Sequence, residues 1–148
     1  TSYGSKSASP TYAPYEYPPT TVTMLKFKDG KVGKCASVID CWQPYYFHTH
    51  LVGSEGSVLD NRFHSNRFDG LSRHHWSQLS CKPVDSGDVA DHPYQTQFEA
   101  FLQALARGQD MPLTGLEEAV ATHEVIFAAD RSVALGRPVK LSELRSNS

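Results

Sequence analysis

The residues best equipped for chemistry lie in the run His48-Thr49-His50-Leu51-Val52-Gly53-Ser54-Glu55-Gly56. Two imidazoles and a carboxylate are donors a divalent metal accepts. In an extended strand His48 and His50 project from one face, roughly 7 Å apart, and curvature would let both reach one ion with Glu55 as a third ligand. The same residues also spell a β-strand running into a tight turn. Gly53-Ser54-Glu55-Gly56 has turn composition, and a turn tip carries its side chains toward water. Just upstream, Trp42, Gln43, Tyr45, Tyr46 and Phe47 crowd a bend made by Pro44. Their rings and hydroxyls suit a sugar-like or cyclic polyol ligand. They suit a well-packed start to a strand equally well.

The spacing H-x-H-x4-E is similar to the first metal motif of cupins. The rest of that pattern is missing, because Trp42 stands where the upstream Gly belongs and no second motif ending in a distant His occurs. Short motifs match by chance often enough that sheet strand and turn is the better reading. The other histidines add little. His74 and His75 are adjacent and point oppositely in a strand, His64 lies in ragged chain, His92 could cap a helix, and His123 sits beside an apolar helical stripe. No G-x-S-x-G nucleophile elbow, G-x-G-x-x-G fingerprint or phosphate-binding P-loop occurs. Asp85, Asp88 and Asp91 read as a solvated linker.

Strands must position the bend and the His run. Residues 20–28 and 31–41 are strand-like and flank Asp29-Gly30, a strong two-residue hairpin signal. With a type I′ turn there, Phe27 pairs with Val32, Leu25 with Lys34 and Met24 with Cys35. Phe27, Leu25, Val32, Ala36 and Val38 then share one face. Residues 46–52 are a third strand, 57–61 a short return strand, 61–75 loop or ragged strand, and 76–84 a fifth strand. The character then changes. Tyr94, Phe98, Phe101, Leu102 and Leu105 follow the spacing of an amphipathic helix that Gly108 ends. Thr114 and Glu117 read as the capping box of a second helix. Its apolar side carries Leu116, Val120, His123, Phe127 and Val133, and Gly136 and Pro138 end it. Strands first and helices last predict an α+β fold: an open, largely antiparallel β-sheet with helices packed on one face and two C-terminal helices.

At 148 residues and 39% hydrophobic content, the chain is long enough for one domain with one core. A net charge of −2 with scattered Lys and Arg gives no reason to expect nucleic acid or membrane as a partner. Cys35, Cys41 and Cys81, an odd number without C-x-x-C spacing, fit a reducing compartment and ordinary packing. With no apolar run long enough to span a bilayer, a cytoplasmic protein is expected. Residues 1–19, rich in Ser, Pro and Tyr, read as an irregular or extended lead-in laid over the body. A start at Thr1 is expected of a piece of something longer.

The order of these pieces resembles a known family. The hairpin TVTMLKFKDGKVGKCASVID, the turn HLVGSEGSVLDN and the closing helices HPYQTQFEAFLQALARGQDMPLTGLEEAVATHEVIFAADRSVALGRPVKL resemble the C-terminal domain of the glucose-fructose oxidoreductase / inositol dehydrogenase (Gfo/Idh/MocA) family. The resemblance covers most of residues 20–141. It implies a parent with an N-terminal Rossmann domain that holds NAD or NADP and a catalytic Lys. It also implies a catalytic Asp and His on a helix early in the C-terminal domain. None of these occurs in this sequence, so no catalytic, cofactor-binding or metal residue carries over, and no cofactor is expected on this chain alone. The resemblance places Tyr45 against a small-molecule substrate, with Tyr46, Trp42, Gln43 and His48 as neighbours. It further implies a homo-oligomer formed through the outer sheet face, covering residues such as Met24 and Cys35. The whole chain, 1–148, would then be a single, partial substrate and oligomerisation domain. Two other readings stay open: a cupin-like metal protein using His48, His50 and Glu55, and a non-enzymatic assembly domain.

Overall fold

The structure, a computed structural model, describes residues 1–45, 47–81, 92 and 94–145. Antiparallel strands lie between Ser2 and Gln78 and helices between Tyr94 and Arg145, the α+β order expected from the sequence. The strands form two sheets rather than one. The chain divides into two compact units, Thr1–Trp42 with Gln95–Ser148, and Gln43–Tyr94.

In the first unit, β1 (Ser2–Ser5), β2 (Thr20–Lys26) and β3 (Val32–Val38) form a sheet in that order. The lead-in supplies the edge strand and then loops past the residues that follow β3. The Tyr12 hydroxyl donates to the Ile39 carbonyl at 2.8 Å, and the Ser7 hydroxyl donates to the Asp40 carboxylate.

The β2–β3 register differs from expectation by one residue. Leu25 pairs with Gly33, Met24 with Lys34 and Thr23 with Cys35. The hairpin loop has three residues, closed by Phe27 N–H donating to Lys31 O at 2.9 Å, and of its residues only Gly30 takes a positive φ, 87°. An Asp-Gly pair fits a type I turn followed by a left-handed Gly as well as a type I′ turn. A slip of one residue moves every side chain to the other face. Val32, Ala36 and Val38 therefore share a face with Val22 and Met24, while Cys35 joins Thr23 and Leu25.

Helix α1 spans Tyr94–Arg107, α2 Leu116–Leu135 and the one-turn α3 Ser142–Arg145. Gly108 at φ 61° and Gly136 at φ 63° end α1 and α2 in the left-handed conformation that glycine adopts without strain. The α2 cap lies one residue beyond the expected Thr114. Gly115 is the N-cap, and the Glu118 carboxylate, not that of Glu117, reaches back to accept its N–H at 3.0 Å.

Small residues let α2 approach β1 closely. A Cβ placed on Gly4 would come within 3.1 Å of Val133 Cγ1 and 2.7 Å of Pro18 Cγ. Beside this contact the Ser2 N–H donates to Ser132 Oγ at 2.9 Å, and that hydroxyl donates to Arg137 O at 2.7 Å. Ala128 and Ser132 are the buried residues of α2. The expected apolar side, Leu116, Val120, His123 and Phe127, is exposed, and Val133 belongs to the opposite, buried side. His123 is no core residue, although its Nδ1–H donates to Ala119 O at 2.7 Å. On α1 only Ala104 is buried, and Tyr94, Phe98, Phe101, Leu102 and Leu105 are exposed.

At the C-terminus two ion pairs fasten α3. Arg145 grips the Glu124 carboxylate at 3.0 and 2.6 Å, and Arg137 meets Glu143 at 2.9 Å. The Arg137 guanidinium, aided by the Lys140 N–H, pulls the Glu143 carboxyl down to about 2.

In the second unit β4 (His50–Val52), β5 (Gly56–Leu59), β6 (Arg62–Ser65) and β7 (Ser77–Gln78) form an antiparallel meander. Strand β4 is shorter than expected, and β6 is a regular strand within the stretch read as loop or ragged strand. The part of the fifth strand beyond Cys81 and the acidic linker up to Asp91 lie outside the described residues. Gly56 must be glycine, since a Cβ there would sit 2.8 Å from His64 O on the next strand. The three cysteines are free and exposed, so they do not pack a core. Among the described residues no helix is long and apolar enough to cross a membrane.

Candidate functional site

The second unit holds four of the five residues that the sequence assigns to substrate. The bend before β4 presents Tyr45, whose ring meets Phe47 edge-on with centroids 5.4 Å apart. His92 joins both, with its centroid 6.1 Å from each ring, and stacks on Tyr94 at 5.4 Å with the planes 9° apart. The Tyr45 hydroxyl lies 3.5 Å from His92 Nε2. About half of Tyr45, Phe47 and Tyr94 is exposed. The result is an aromatic surface with a hydroxyl and an imidazole among its rings, able to stack on an apolar ring face and hydrogen-bond at its rim.

His48 takes a different partner. Its Nδ1 lies 3.0 Å from Asp60 Oδ2, while Asp60 Oδ1 accepts the Thr49 N–H at 2.9 Å. The Asp60 N–H donates back to Thr49 O at 2.8 Å, so the turn after β5 is tied to the residues before β4. Asp60 is the first residue of the two-residue turn between β5 and β6 and has φ 54°. Aspartate tolerates this left-handed conformation better than most residues. Next along the chain, the His50 ring lies 6.5 Å from that of His48.

The third member of the possible metal set lies apart from the two histidines in its bonding. Both Glu55 oxygens accept from Arg67 Nη2 at 2.6 Å. Among the described residues no group of three His, Cys, Asp or Glu side chains is placed to hold one ion. His64 Nε2 is buried in this unit without a hydrogen-bond partner among the described residues.

Gln43 is exposed in the bend, Tyr46 lies outside the described residues, and Trp42 is fully exposed and belongs to the first unit. The structure thus joins Tyr45 to Phe47 and His92, and His48 to Asp60 and His50. Sequence reasoning missed Asp60 and Tyr94 and took His92 for a possible helix cap. The Asp60-Asn61 pair between Leu59 and Phe63 was the available signal for the turn. Nothing in the sequence ties its carboxylate to His48.

No family model matches the chain, and no curated protein or solved structure matches it either.

Proposed function

We propose that this chain is the C-terminal substrate-binding and oligomerisation domain of an NAD(P)-dependent oxidoreductase acting on a sugar, polyol or related substrate. An N-terminal Rossmann domain of the parent would supply the nicotinamide and a catalytic Lys, and a helix early in the parent's C-terminal domain would supply the catalytic Asp and His. This chain would supply the substrate-side wall through Tyr45 and His48, with Gln43, Tyr46 and Trp42 nearby, and a surface for homo-oligomers. Alone it would be inactive and would carry no cofactor. A cytoplasmic location goes with this reading.

The observation that carries the proposal is the set of large apolar side chains left exposed among the described residues, with Phe98, Phe101, Leu116 and Phe127 on the helices and Met24 and Val32 on the sheet. Helix α2 is apolar on two opposite sides, and such a helix belongs inside a larger body. On the sheet, Tyr3, Met24, Val32 and Val38 share an exposed face. That face also supports the second reading, an assembly domain without a catalytic role.

Turnover decides between them. The full-length parent should reduce NAD(P) with a cyclic polyol or sugar, and Tyr45→Phe should lower kcat/KM about tenfold or more through loss of one hydrogen bond. Unchanged turnover in that variant would leave assembly as the better account.

A further inference from the structure

Backbone hydrogen bonds alternate in direction along an antiparallel strand, so one bond fixes the direction of the rest. Phe27 N–H donates to Lys31 O at 2.9 Å and Ile39 N–H to Pro19 O at 3.0 Å, at the two ends of the β2–β3 ladder and in its register. Gly33, Cys35 and Ser37 therefore turn their backbone groups toward β2. Val32, Lys34, Ala36 and Val38 turn theirs outward, to the side where β3 has no neighbouring strand. Among the described residues the partner on that side is Cys41 Sγ, a weak donor 3.6 Å from Val38 O.

The other edge of this sheet is covered. Thr1 and Met24 exchange both backbone bonds, at 2.7 and 3.0 Å, so Ser2 turns its N–H away from β2, where it meets Ser132 Oγ of α2 at 2.9 Å. An open edge is usually protected by brevity, proline, a bulge or several charges. Strand β3 has seven residues in unbroken register, no proline and one charge, Lys34. Apart from Gly33 its residues are exposed.

We infer that β3 is the pairing edge for a second copy of this chain, joined antiparallel about a two-fold axis at Cys35. It rests on the homo-oligomer proposed above and names its surface as the strand edge. The strand Val32-Gly33-Lys34-Cys35-Ala36-Ser37-Val38 is similar read from either end, as an isologous contact requires. Val32 lies opposite Val38 of the other copy and Lys34 opposite its Ala36, so every outward N–H and C=O of the strand finds a partner. An axis at Lys34 would set two ammonium groups directly opposite each other, and one at Ala36 would leave Val32 outside the pairing. The single charge thus selects the register. Pairing also makes the exposed face of Tyr3, Met24, Val32 and Val38 continuous across both copies.

Sedimentation equilibrium of the chain should show reversible pairing. Ala36→Glu places a carboxylate opposite Lys34 of the other copy, and Ala36→Lys places a second ammonium there. The pairing Kd should fall about threefold or more in the first and rise about threefold or more in the second. Cys35 offers a separate readout, since it faces its own copy at a position without direct backbone bonds. Such a pair has Cα atoms about 4.5 Å apart, inside the roughly 4.4–6.8 Å that a disulfide spans. In a Cys41→Ser, Cys81→Ser protein, diamide takes up the two thiol hydrogens as the S–S bond forms and should yield a covalent dimer. Adding Cys35→Ser should abolish it. A dimer that diamide fails to link, or whose Kd ignores both charges, overturns the inference and leaves the proposed homo-oligomer to another surface. A chain that sediments as monomer at every concentration overturns both this inference and the proposed oligomer, while turnover still tests the substrate wall.

Discussion

Ser132→Ala removes a hydroxyl that joins three parts of the first unit. The Ser132 side chain is 2% exposed and accepts the Ser2 N–H while donating to Arg137 O. Ser2 is 4% exposed, so no water can replace the lost acceptor without opening the β1–α2 contact. An orphaned buried N–H costs about 1–3 kcal/mol, and the lost bond to Arg137 O about 0.5–1.5 more. Alanine returns a few tenths of a kcal/mol, up to roughly 0.5, as the better helix former. The expected net loss is about 1–4 kcal/mol, a large share of the ~5–15 kcal/mol that holds a domain together. Denaturant unfolding followed by far-ultraviolet circular dichroism reads the global effect. Hydrogen exchange at the Ser2 amide reads the local one, and its protection should fall in step. A midpoint shift worth less than about 0.5 kcal/mol, the range of an ordinary surface substitution, together with an equally protected Ser2 amide would refute the role assigned to this hydroxyl.

Other consequences concern different parts of the chain. Gly56→Ala should destabilise β5–β6 by about 1–3 kcal/mol through overpacking, since its Cβ would meet the His64 carbonyl at 2.8 Å; thermal unfolding of the variant at or above the wild-type midpoint would contradict this. Glu143 has a carboxyl lowered from 4.5 to about 2, so its contribution is fully present above pH 4.5 and is lost as pH falls toward 2. Glu143→Gln should therefore flatten the acid limb of a stability-against-pH curve in that window, and wild-type and variant curves that stay parallel there would contradict it. Phe127→Glu, on the exposed side of α2, should leave helix content unchanged while shifting the sedimentation mass of the chain toward monomer; an unaltered mass distribution would show that this face meets no other copy.

Local chemistry was legible where one residue decides the backbone. Gly108 and Gly136 end their helices because glycine enters the left-handed region freely, and both ends were read correctly. The α+β order of elements was legible from the change of hydrophobic period between the strands and Tyr94. The hairpin at Gly30 was half legible, because Asp29-Gly30 marks a turn without fixing the sign of φ at Asp29, and that sign sets the register of β3. The cap of α2 slipped by one because Glu117 and Glu118 are adjacent and either can reach back to an N-cap. Periodicity identified the large apolar side of α2 yet gave no account of its cover. The side that meets β1 is the one with Ala128, Ser132 and Val133, where small groups and Gly4 permit close approach.

At the site, residue type picked out Tyr45 and His48, but their partners come from elsewhere along the chain. His92 lies 47 residues from Tyr45 and Asp60 lies 12 from His48. Pairings across a hairpin or a long loop depend on tertiary geometry, which single-residue propensities do not encode. His48 and Glu55 illustrate the converse. Their spacing suits a metal, but each side chain has a bonding partner of its own, Asp60 for one and Arg67 for the other.

The central claim is that this chain forms one wall of a nicotinamide-dependent site whose cofactor half is carried by a preceding domain. Isothermal titration of NADH and NADPH into this chain, and into the same chain extended by the upstream product of its gene, tests it most directly. The account predicts stoichiometric binding of one nucleotide to the extended protein and no measurable heat with the 148 residues alone. Tight binding by the short chain, or an extended protein that takes up neither nucleotide, would contradict it.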